Sequence, residues 1–166
     1  ERAGARPAFL GYRGYPATLC TSVNDVIIHG IPGEVALTEG DIVGVDCGVV
    51  FNGYYGDAAR TFAVGKAPEK AATLLAVTRA SLLLAVEKLV PGGRLSDVGF
   101  AVQRHVEEHG FSVVREFVGH GIGTSLHEDP QVPNYGPPGR GPRLREGLVV
   151  AVEPMVNAGG PEVSMD

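Results

Sequence analysis

The sequence predicts a single α+β domain over residues 1–166, and three observations support this class. At 166 residues the chain is long enough for one globular domain with its own core. Two strand-like runs, 42–51 and 54–64, flank an Asn-Gly pair, which is typical of a tight β-hairpin turn. The segment after Pro68 is rich in apolar residues over a length typical of a buried helix.

Two helices are predicted in the middle of the chain. Pro68 suits the first position of the first helix, which ends at the Pro-Gly-Gly of residues 91–93. Ser96 is the predicted cap of the second helix, which runs to about His109 and is closed by Gly110. The first helix is expected to be long and well buried because of its apolar residues: Leu74, Leu75, Val77, Leu82, Leu84, Val86 and Leu89.

Loops and short strands account for most of the remaining chain. The aromatic stretch at 11–16 is interpreted as a loop, and 111–118 as a strand. A glycine-rich loop is predicted to open at Gly119, and a loop rich in Pro and Gly follows at 130–142. A further strand is expected at 148–152.

The hairpin register brings two aspartates together. With a two-residue turn, Asp57 lies opposite Gly48, and Asp46 lies opposite Ala59. Side chains alternate between the faces of a strand, so Asp46 and Asp57 are expected to be diagonal neighbours on one face. The small residues opposite them leave room for a ligand, and two such carboxylates repel unless a cation lies between them. The alternative is one solvated aspartate and one turn-capping aspartate.

Glu153 and His120 extend this pattern toward a metal site. Glu153 ends an apolar run just before a proline, so a strand-end cap is its alternative role. Three carboxylates and one imidazole suit Mn, Fe(II), Co or Zn. Two divalent ions would be incompletely neutralised by three carboxylates, so a dinuclear site would require a fourth.

The histidines differ in the roles that their positions predict. His105 and His109 fall in the last turns of a helix, where the dipole favours them, and a structural role is predicted. His29, in the stiff sequence His-Gly-Ile-Pro, suits a turn residue or a positioned catalytic group equally well. His120 and His127 are separated by glycines that disfavour a helix. Either these glycines serve the histidines by letting the backbone approach a metal centre closely, or the histidines are incidental to a flexible loop.

Composition excludes several classes of protein. A net charge of −5 argues against general nucleic-acid binding. The most apolar run, 81–90, is too short for a membrane span. Cys20 and Cys47 are the only cysteines and lack C-x-x-C spacing, so a disulfide framework is not indicated and a reducing, cytoplasmic setting is expected.

Four blocks resemble type I methionine aminopeptidases of the bacterial kind. They are TSVNDVIIHGIP at 21–32, VDCGVVFNGYYGDAARTF at 45–62, GHGIGTSLHEDPQVPNY at 119–135 and VEPMVNAG at 152–159. The resemblance implies a pita-bread fold, with an antiparallel sheet and helices on its outer face. It also implies a centre of two divalent metal ions (Co, Mn, Fe(II) or Zn), held at positions matching Asp46, Asp57, His120 and Glu153.

The implied activity is removal of the N-terminal methionine from nascent proteins with a small second residue, through a metal-bridging hydroxide. Glu153 matches a proton carrier, and His29 and His127 match residues that contact the substrate and the tetrahedral intermediate. The pocket for the methionine side chain would be lined by Phe9, Tyr12, Tyr15 and Cys20. The implied partners are the N-termini of nascent polypeptides, with the ribosome a further candidate, and a monomer without membrane or nucleic-acid contacts is expected.

Some features depart from the family pattern or leave alternatives open. The chain resembles a central piece of the enzyme, truncated at both ends, and a fifth ligand, a glutamate, is expected beyond Asp166. Leu126 stands where many relatives carry Phe, and Phe9 where Cys is common. One alternative is an Xaa-Pro aminopeptidase or prolidase with the same metal site. The other is a non-catalytic binding protein that keeps the fold.

Overall fold

A computed structural model describes residues 3–165; residues 1, 2 and 166, the ends of the predicted domain, lie outside the described range. The chain divides into two compact units. The first contains the chain up to Glu69 together with Ile122–His127, and the second contains Lys70–Gly121 and the chain from Glu128 onward. Both helices and strands are present, so the predicted α+β class is confirmed.

A four-stranded antiparallel sheet organises the first unit. Its strands are β1 (Arg6–Pro7), β2 (Leu19–Val23), β3 (Ile42–Phe51) and β4 (Tyr54–Ala63). Strand β3 pairs with β4 along its whole length and with β2 and β1 over shorter stretches. Strand β3 is therefore the central support for the side chains of this unit.

The predicted hairpin and its register are confirmed. Phe51 pairs with Tyr54, and the same register places Asp57 opposite Gly48 and Asp46 opposite Ala59. The two turn residues both have positive φ, 50° at Asn52 and 83° at Gly53, as a type I′ turn requires.

Helix α1 spans Glu69–Val86 and helix α2 spans Leu95–Glu108. The helix begins one residue after Pro68, the predicted first position, and the expectation of a well-buried helix is only partly met. Its buried residues are Val77, Ser81 and Ala85, whereas Leu83 is 57% exposed. The apolar side chains are spread around the helix rather than gathered on one stripe, so a single packing face cannot cover them all.

The start of α2 corrects the predicted cap. Arg94 is the N-cap residue, and its backbone N–H donates to the carboxylate of Asp97 at 3.2 Å. Ser96 lies in the first turn instead, where its hydroxyl bonds to the backbone of Arg140. The end of α2 follows the prediction, since Gly110 adopts the left-handed conformation with φ 75°.

Two small antiparallel sheets complete the described part of the second unit. Their strands are β5 (Ser112–Val113), β6 (Gly119–Gly121), β7 (Glu128–Val132), β8 (Val150–Ala151) and β9 (Val156–Asn157). Strand β5 pairs with β9, and β6 lies between β7 and β8. The strands predicted at 111–118 and 148–152 are thus much shorter than expected, and the loop predicted at 130–142 begins inside β7.

The core of the second unit forms between α1, α2 and these strands. Val98, Val102 and Val106 of α2 are at most 1% exposed, and Val132 of β7 is fully buried among them. No helix in the described range has the length and apolar character needed to cross a membrane.

A carboxylate network ties the chain before β3 to the end of β2. Asp41 accepts hydrogen bonds from the side chain of Asn24 and from the backbone N–H and hydroxyl of Thr38, at 2.8–3.1 Å. The bond from Asn24, followed by those from Thr38, holds the pKa of Asp41 below its ordinary value. Folding therefore favours the charged form of this carboxylate.

We expect the substitution Asp41→Asn to lower stability at neutral pH. A depressed pKa in the folded state contributes stability above the unfolded value of about 3.9 and loses it as the pH falls through the folded value. Urea unfolding between about pH 7 and pH 3 should therefore show a difference from wild type that shrinks in acid. Asp25→Asn, at an exposed neighbouring carboxylate, is the control, and a pH-independent difference for Asp41→Asn would contradict the assignment.

Candidate functional site

The two aspartates of the hairpin lie on one face of the first sheet. Their register makes Asp46 and Asp57 diagonal neighbours, both of them half-buried, and Oδ1 of Asp46 is shielded from solvent. The space opposite Asp57 is not empty, however, because a side chain at Gly48 would overlap the ring of Phe9. Because Gly48 has no side chain, the ring of Phe9 can lie beside the carboxylates. The space opposite Asp57 is therefore occupied by this ring and not by the ligand.

The four predicted pocket residues belong to one cluster of the first unit. Phe9 and Cys20 are buried, and Tyr12 and Tyr15 pack against them. Other buried members are Ala8, Ile122 and Leu126. Burial raises the pKa of the Cys20 thiol, and burial followed by the hydrogen bond with Cys20 raises the pKa of Tyr15. Both groups are therefore neutral at pH 7, and the cluster is suited to an apolar side chain.

His29 is held in a left-handed conformation by a fixed loop. Its backbone is left-handed, with φ 59°, a conformation that is uncommon for residues other than glycine, although histidine adopts it more often than most. The next residue, Gly30, accepts a bond from the Tyr15 hydroxyl at 2.9 Å, and its N–H donates to the hydroxyl of Ser22 at 3.1 Å. The loop is thereby fixed to β2, and the His29 residue is exposed.

His127 has a partner that the sequence does not reveal. The hydroxyl of Tyr12 lies 2.9 Å from Nδ1 of His127, and the two rings are 5.5 Å apart between centroids. His127 is exposed. Tyr12 therefore has two roles in this unit, as part of the apolar cluster and as a partner that orients His127.

The second unit brings His120 and Glu153 together. His120 is buried, and its Nδ1 lies 2.8 Å from the carbonyl of Gly121, so this nitrogen must carry the proton that is donated. Nε2 of His120 is then the nitrogen without a proton, and it lies 3.8 Å from Oε2 of Glu153. A backbone carbonyl that fixes the imidazole tautomer in this way is typical of metal-binding histidines.

The position of His120 corrects the predicted glycine-rich loop. His120 is in β6, the central strand of its sheet, where it pairs with Gln131 of β7 and Ala151 of β8. A side chain at Gly119 would overlap the carbonyl of Ala151, and one at Gly121 would overlap the carbonyl of Asp129. These two glycines thus allow neighbouring strands to approach, which is a different role from the one expected.

Two further histidines lie where the sequence predicts them. His105 is in the last turn of α2, and His109 is its C-cap residue. Nδ1 of His109 lies 2.7 Å from the carbonyl of His105 and donates to it, so His109 satisfies a carbonyl at the helix end. This contact agrees with a structural role for the pair.

Asn134 is a residue that the sequence analysis missed. Its side chain is 1% exposed, and its Nδ2 donates to the backbone carbonyl of Glu153 at 2.7 Å. Asn134 lies in a segment predicted only as a loop. The signal available in the sequence was weak: an asparagine between apolar and aromatic residues, with no charge or motif of its own.

Comparison with protein families matches residues 1–164 to metallopeptidase family M24. The "Methionine aminopeptidase" of Clostridium acetobutylicum is 56% identical over 160 residues, and "Methionine aminopeptidase 1" of Bacillus subtilis is 52% identical over 159. Each alignment covers 96% of this chain and 64% of the relative. The chain thus spans just under two thirds of the length of these curated relatives.

Solved structures give a matching result. The crystal structure of methionine aminopeptidase from Thermotoga maritima is 50% identical, with a TM-score of 0.96 over 98% of this chain and 66% of that one. The prolidase from Pyrococcus horikoshii is 27% identical, with a TM-score of 0.70 over 82% of this chain and 39% of that one. These matches confirm the predicted pita-bread fold, which is built here from antiparallel sheets and helices.

Proposed function

Because the chain belongs to metallopeptidase family M24, we propose that the natural protein is an aminopeptidase that removes N-terminal methionine before a small second residue. The observation that carries the proposal is the pair formed by His120 and Glu153. A buried imidazole with a fixed tautomer presents its second nitrogen to a carboxylate 3.8 Å away. This pair has the chemistry of a metal site, in a chain of a metallopeptidase family.

We propose that Asp46, Asp57, His120 and Glu153 hold two divalent ions. The donor set fits, since oxygen-rich ligation with one imidazole suits Co, Mn, Fe(II) or Zn. The three carboxylates bring three negative charges against four positive ones, so one more carboxylate ligand is expected in the natural protein. When bound, the ions would lower the pKa of a water molecule and polarise the scissile carbonyl.

The side chains around this site have separate roles in the proposal. Glu153, one third exposed at its side chain, would accept the proton of the attacking water and pass it to the leaving amine. His127, oriented by the Tyr12 hydroxyl, would donate a hydrogen bond to the oxyanion as it develops. His29, held on its fixed loop, would contact the peptide backbone and align the scissile bond.

The cluster of Phe9, Tyr12, Tyr15 and Cys20 is proposed to bind the methionine side chain. Its neutral, largely apolar surface suits an unbranched thioether, and aromatic rings make favourable contacts with sulfur. The ring of Phe9 above Gly48 fixes one wall beside the aspartates. This placement would bring the N-terminal residue of a substrate next to the proposed ligands of the first unit.

The hydrogen bond between Tyr12 and His127 leads to a testable prediction. Tyr12→Phe keeps the ring in the pocket but removes the hydroxyl, so His127 is oriented less well. A bond of this kind contributes about 1 kcal/mol, so kcat is expected to fall about fivefold. Steady-state kinetics on Met-Ala-Ser would measure the change, with Tyr54→Phe, at an exposed tyrosine of the hairpin, as the control. Equal rates in the two variants would contradict the role of Tyr12.

The proposed partners are the N-termini of nascent polypeptides, which the protein would meet at the ribosome in the cytoplasm. We propose that the protein acts there as a monomer. The free thiols of Cys20 and Cys47 support the choice of a reducing compartment. The acidic net charge of −5 supports the absence of direct nucleic-acid contacts.

An Xaa-Pro aminopeptidase or prolidase is the second candidate, and the prolidase match at TM-score 0.70 favours keeping it. The same ligands would serve either reaction, so the pocket decides between the two. Hydrolysis of Met-Ala-Ser should proceed with a kcat/KM at least about a hundredfold above that for an Xaa-Pro peptide of equal length. A hundredfold ratio corresponds to a difference of about 3 kcal/mol in how the pocket binds the two transition states. A preference for the Xaa-Pro peptide would replace the proposal with its alternative, and cleavage of neither peptide would favour a non-catalytic binding protein.

A further inference from the structure

The side chain of Asn134 donates a hydrogen bond to the backbone at Glu153, and among the described contacts no other side chain does so. Strand β8 ends at Ala151 and β9 begins at Val156, so Glu153 lies in the connection between them. The carbonyl of Glu153 is part of the peptide bond to Pro154. Because proline has no N–H, this peptide unit cannot donate a hydrogen bond to a neighbouring strand. The Nδ2 atom of Asn134 donates to that carbonyl at 2.7 Å.

The burial of Asn134 indicates that its hydrogen bond to Glu153 is the reason for a polar residue at this position. The side chain is 1% exposed, and its Oδ1 atom has no hydrogen-bond partner among residues 3–165. A buried amide with an unsatisfied oxygen costs free energy that an apolar side chain would not. The donation to Glu153 is therefore the contact that explains an asparagine at this position.

The segment that carries Asn134 is itself fixed on helix α2. A side chain at Gly99 would overlap the backbone of Pro133 and Tyr135, so the helix lies directly against this segment. The N–H of Gly136 also donates to the side chain of Gln103 at 2.9 Å. The backbone at Asn134 is thus held in place by its packing against helix α2.

The same segment is joined to the strand of His120. Val132, the last residue of β7, pairs with Gly119 of β6, directly before His120. Asn134 follows Val132 by two residues and reaches Glu153. One short stretch of chain therefore sets the backbone positions of both members of the pair.

We propose that Asn134 is a positioning residue for Glu153. By holding the Glu153 carbonyl, it fixes the backbone from which the carboxylate points toward Nε2 of His120. This inference rests on the proposed function, in which both side chains bind metal. It adds a residue that contacts neither metal nor substrate but sets the geometry of a ligand.

The test uses Co²⁺ binding to the natural full-length protein, measured by calorimetry and by the visible absorption of the bound ion. Asn134→Ala is expected to weaken Co²⁺ binding at least about tenfold, as loss of a supporting hydrogen bond around a metal ligand typically does. The absorption bands should shift, because the position of one ligand changes. With excess Co²⁺, kcat for Met-Ala-Ser should fall while KM stays unchanged.

Val106→Ala is the matched control, since Val106 is fully buried in the core of the same unit. It should lower Tm at least as much as Asn134→Ala, yet leave Co²⁺ affinity and absorption unchanged. Should Asn134→Ala fail to fold, Asn134→Thr is measured instead, because it keeps nearly the same volume and its hydroxyl is too short to reach the carbonyl. The same weakening and band shift are expected.

Wild-type affinity and absorption in the folded variant would overturn the role of Asn134. An equal spectral change in Val106→Ala would also overturn it, because the effect would then follow from lost stability alone. Failure of the wild-type protein to bind Co²⁺ would instead overturn the proposed function, so the two failures are distinguishable.

Discussion

Replacing His120 with alanine is expected to reduce kcat/KM for Met-Ala-Ser at least about a thousandfold. The substitution removes Nε2, the nitrogen that faces Glu153 at 3.8 Å and belongs to the one imidazole among the proposed metal ligands. Metal ions contribute several kcal/mol of transition-state stabilisation in hydrolytic sites, and each 1.36 kcal/mol is a factor of ten in rate. Metal content after dialysis should fall together with the rate.

His109→Ala is the control for the loss of a histidine as such. His109 is exposed at the end of α2 and donates to the carbonyl of His105, so its loss should cost a little stability and leave the rate within about twofold. A His120→Ala protein that keeps its metal and its rate would exclude His120 as a ligand.

Gly121→Ala is expected to lower the free energy of unfolding by about 3 kcal/mol, the upper end of the cost of overpacking. The new methyl group would overlap the carbonyl of Asp129, which is backbone and cannot rotate away. Strand β7 must then move away from β6, so Co²⁺ binding through His120 should weaken as well. Urea denaturation of the natural protein would measure the first effect and calorimetry the second.

Gly159→Ala is the matched control for this substitution. Gly159 is exposed, its φ is not in the left-handed region, and no atom lies within 4 Å of a methyl group built there. Its replacement should change the free energy of unfolding by less than about 0.5 kcal/mol. Equal stability of the two variants would show that β6 and β7 do not approach as closely as described.

The sequence was sufficient where local chemistry sets the geometry. Two residues with positive φ, Asn52 and Gly53, fix the turn, and a fixed turn determines every pair along β3 and β4. The common face of Asp46 and Asp57 followed from this register. The end of α2 was predictable for a similar reason, since Gly110 is one of the few residue types that enter the left-handed region at no cost.

The sequence was insufficient where distant segments determine the structure. Strand β6 is three residues long and two of them are glycines, so it has neither the length nor the composition of a strand. Its partners are separated from it in sequence, and only their close approach explains Gly119 and Gly121. From the sequence alone, these glycines therefore indicate a loop rather than a strand.

Partners of side chains were the least predictable part of the site. Tyr12 and His127 are 115 residues apart, and Asn134 and Glu153 are 19 apart, so no periodicity links either pair. The roles of His29, His127 and the pocket residues came from the family resemblance rather than from patterns in the chain. They stay predictions, and among them only the role of Tyr12 has a variant described above.

Release of methionine from Met-Ala-Ser by the natural protein, before and after chelation of metal, tests the proposed metal-dependent reaction most directly. The protein would be treated with EDTA, dialysed, and returned stepwise to Co²⁺ or Mn²⁺ while the initial rate is recorded. The expected result is loss of activity on chelation and its return as metal is added, with saturation near two ions per chain. A metal-free protein that still releases methionine at the original rate would contradict the metal-dependent mechanism.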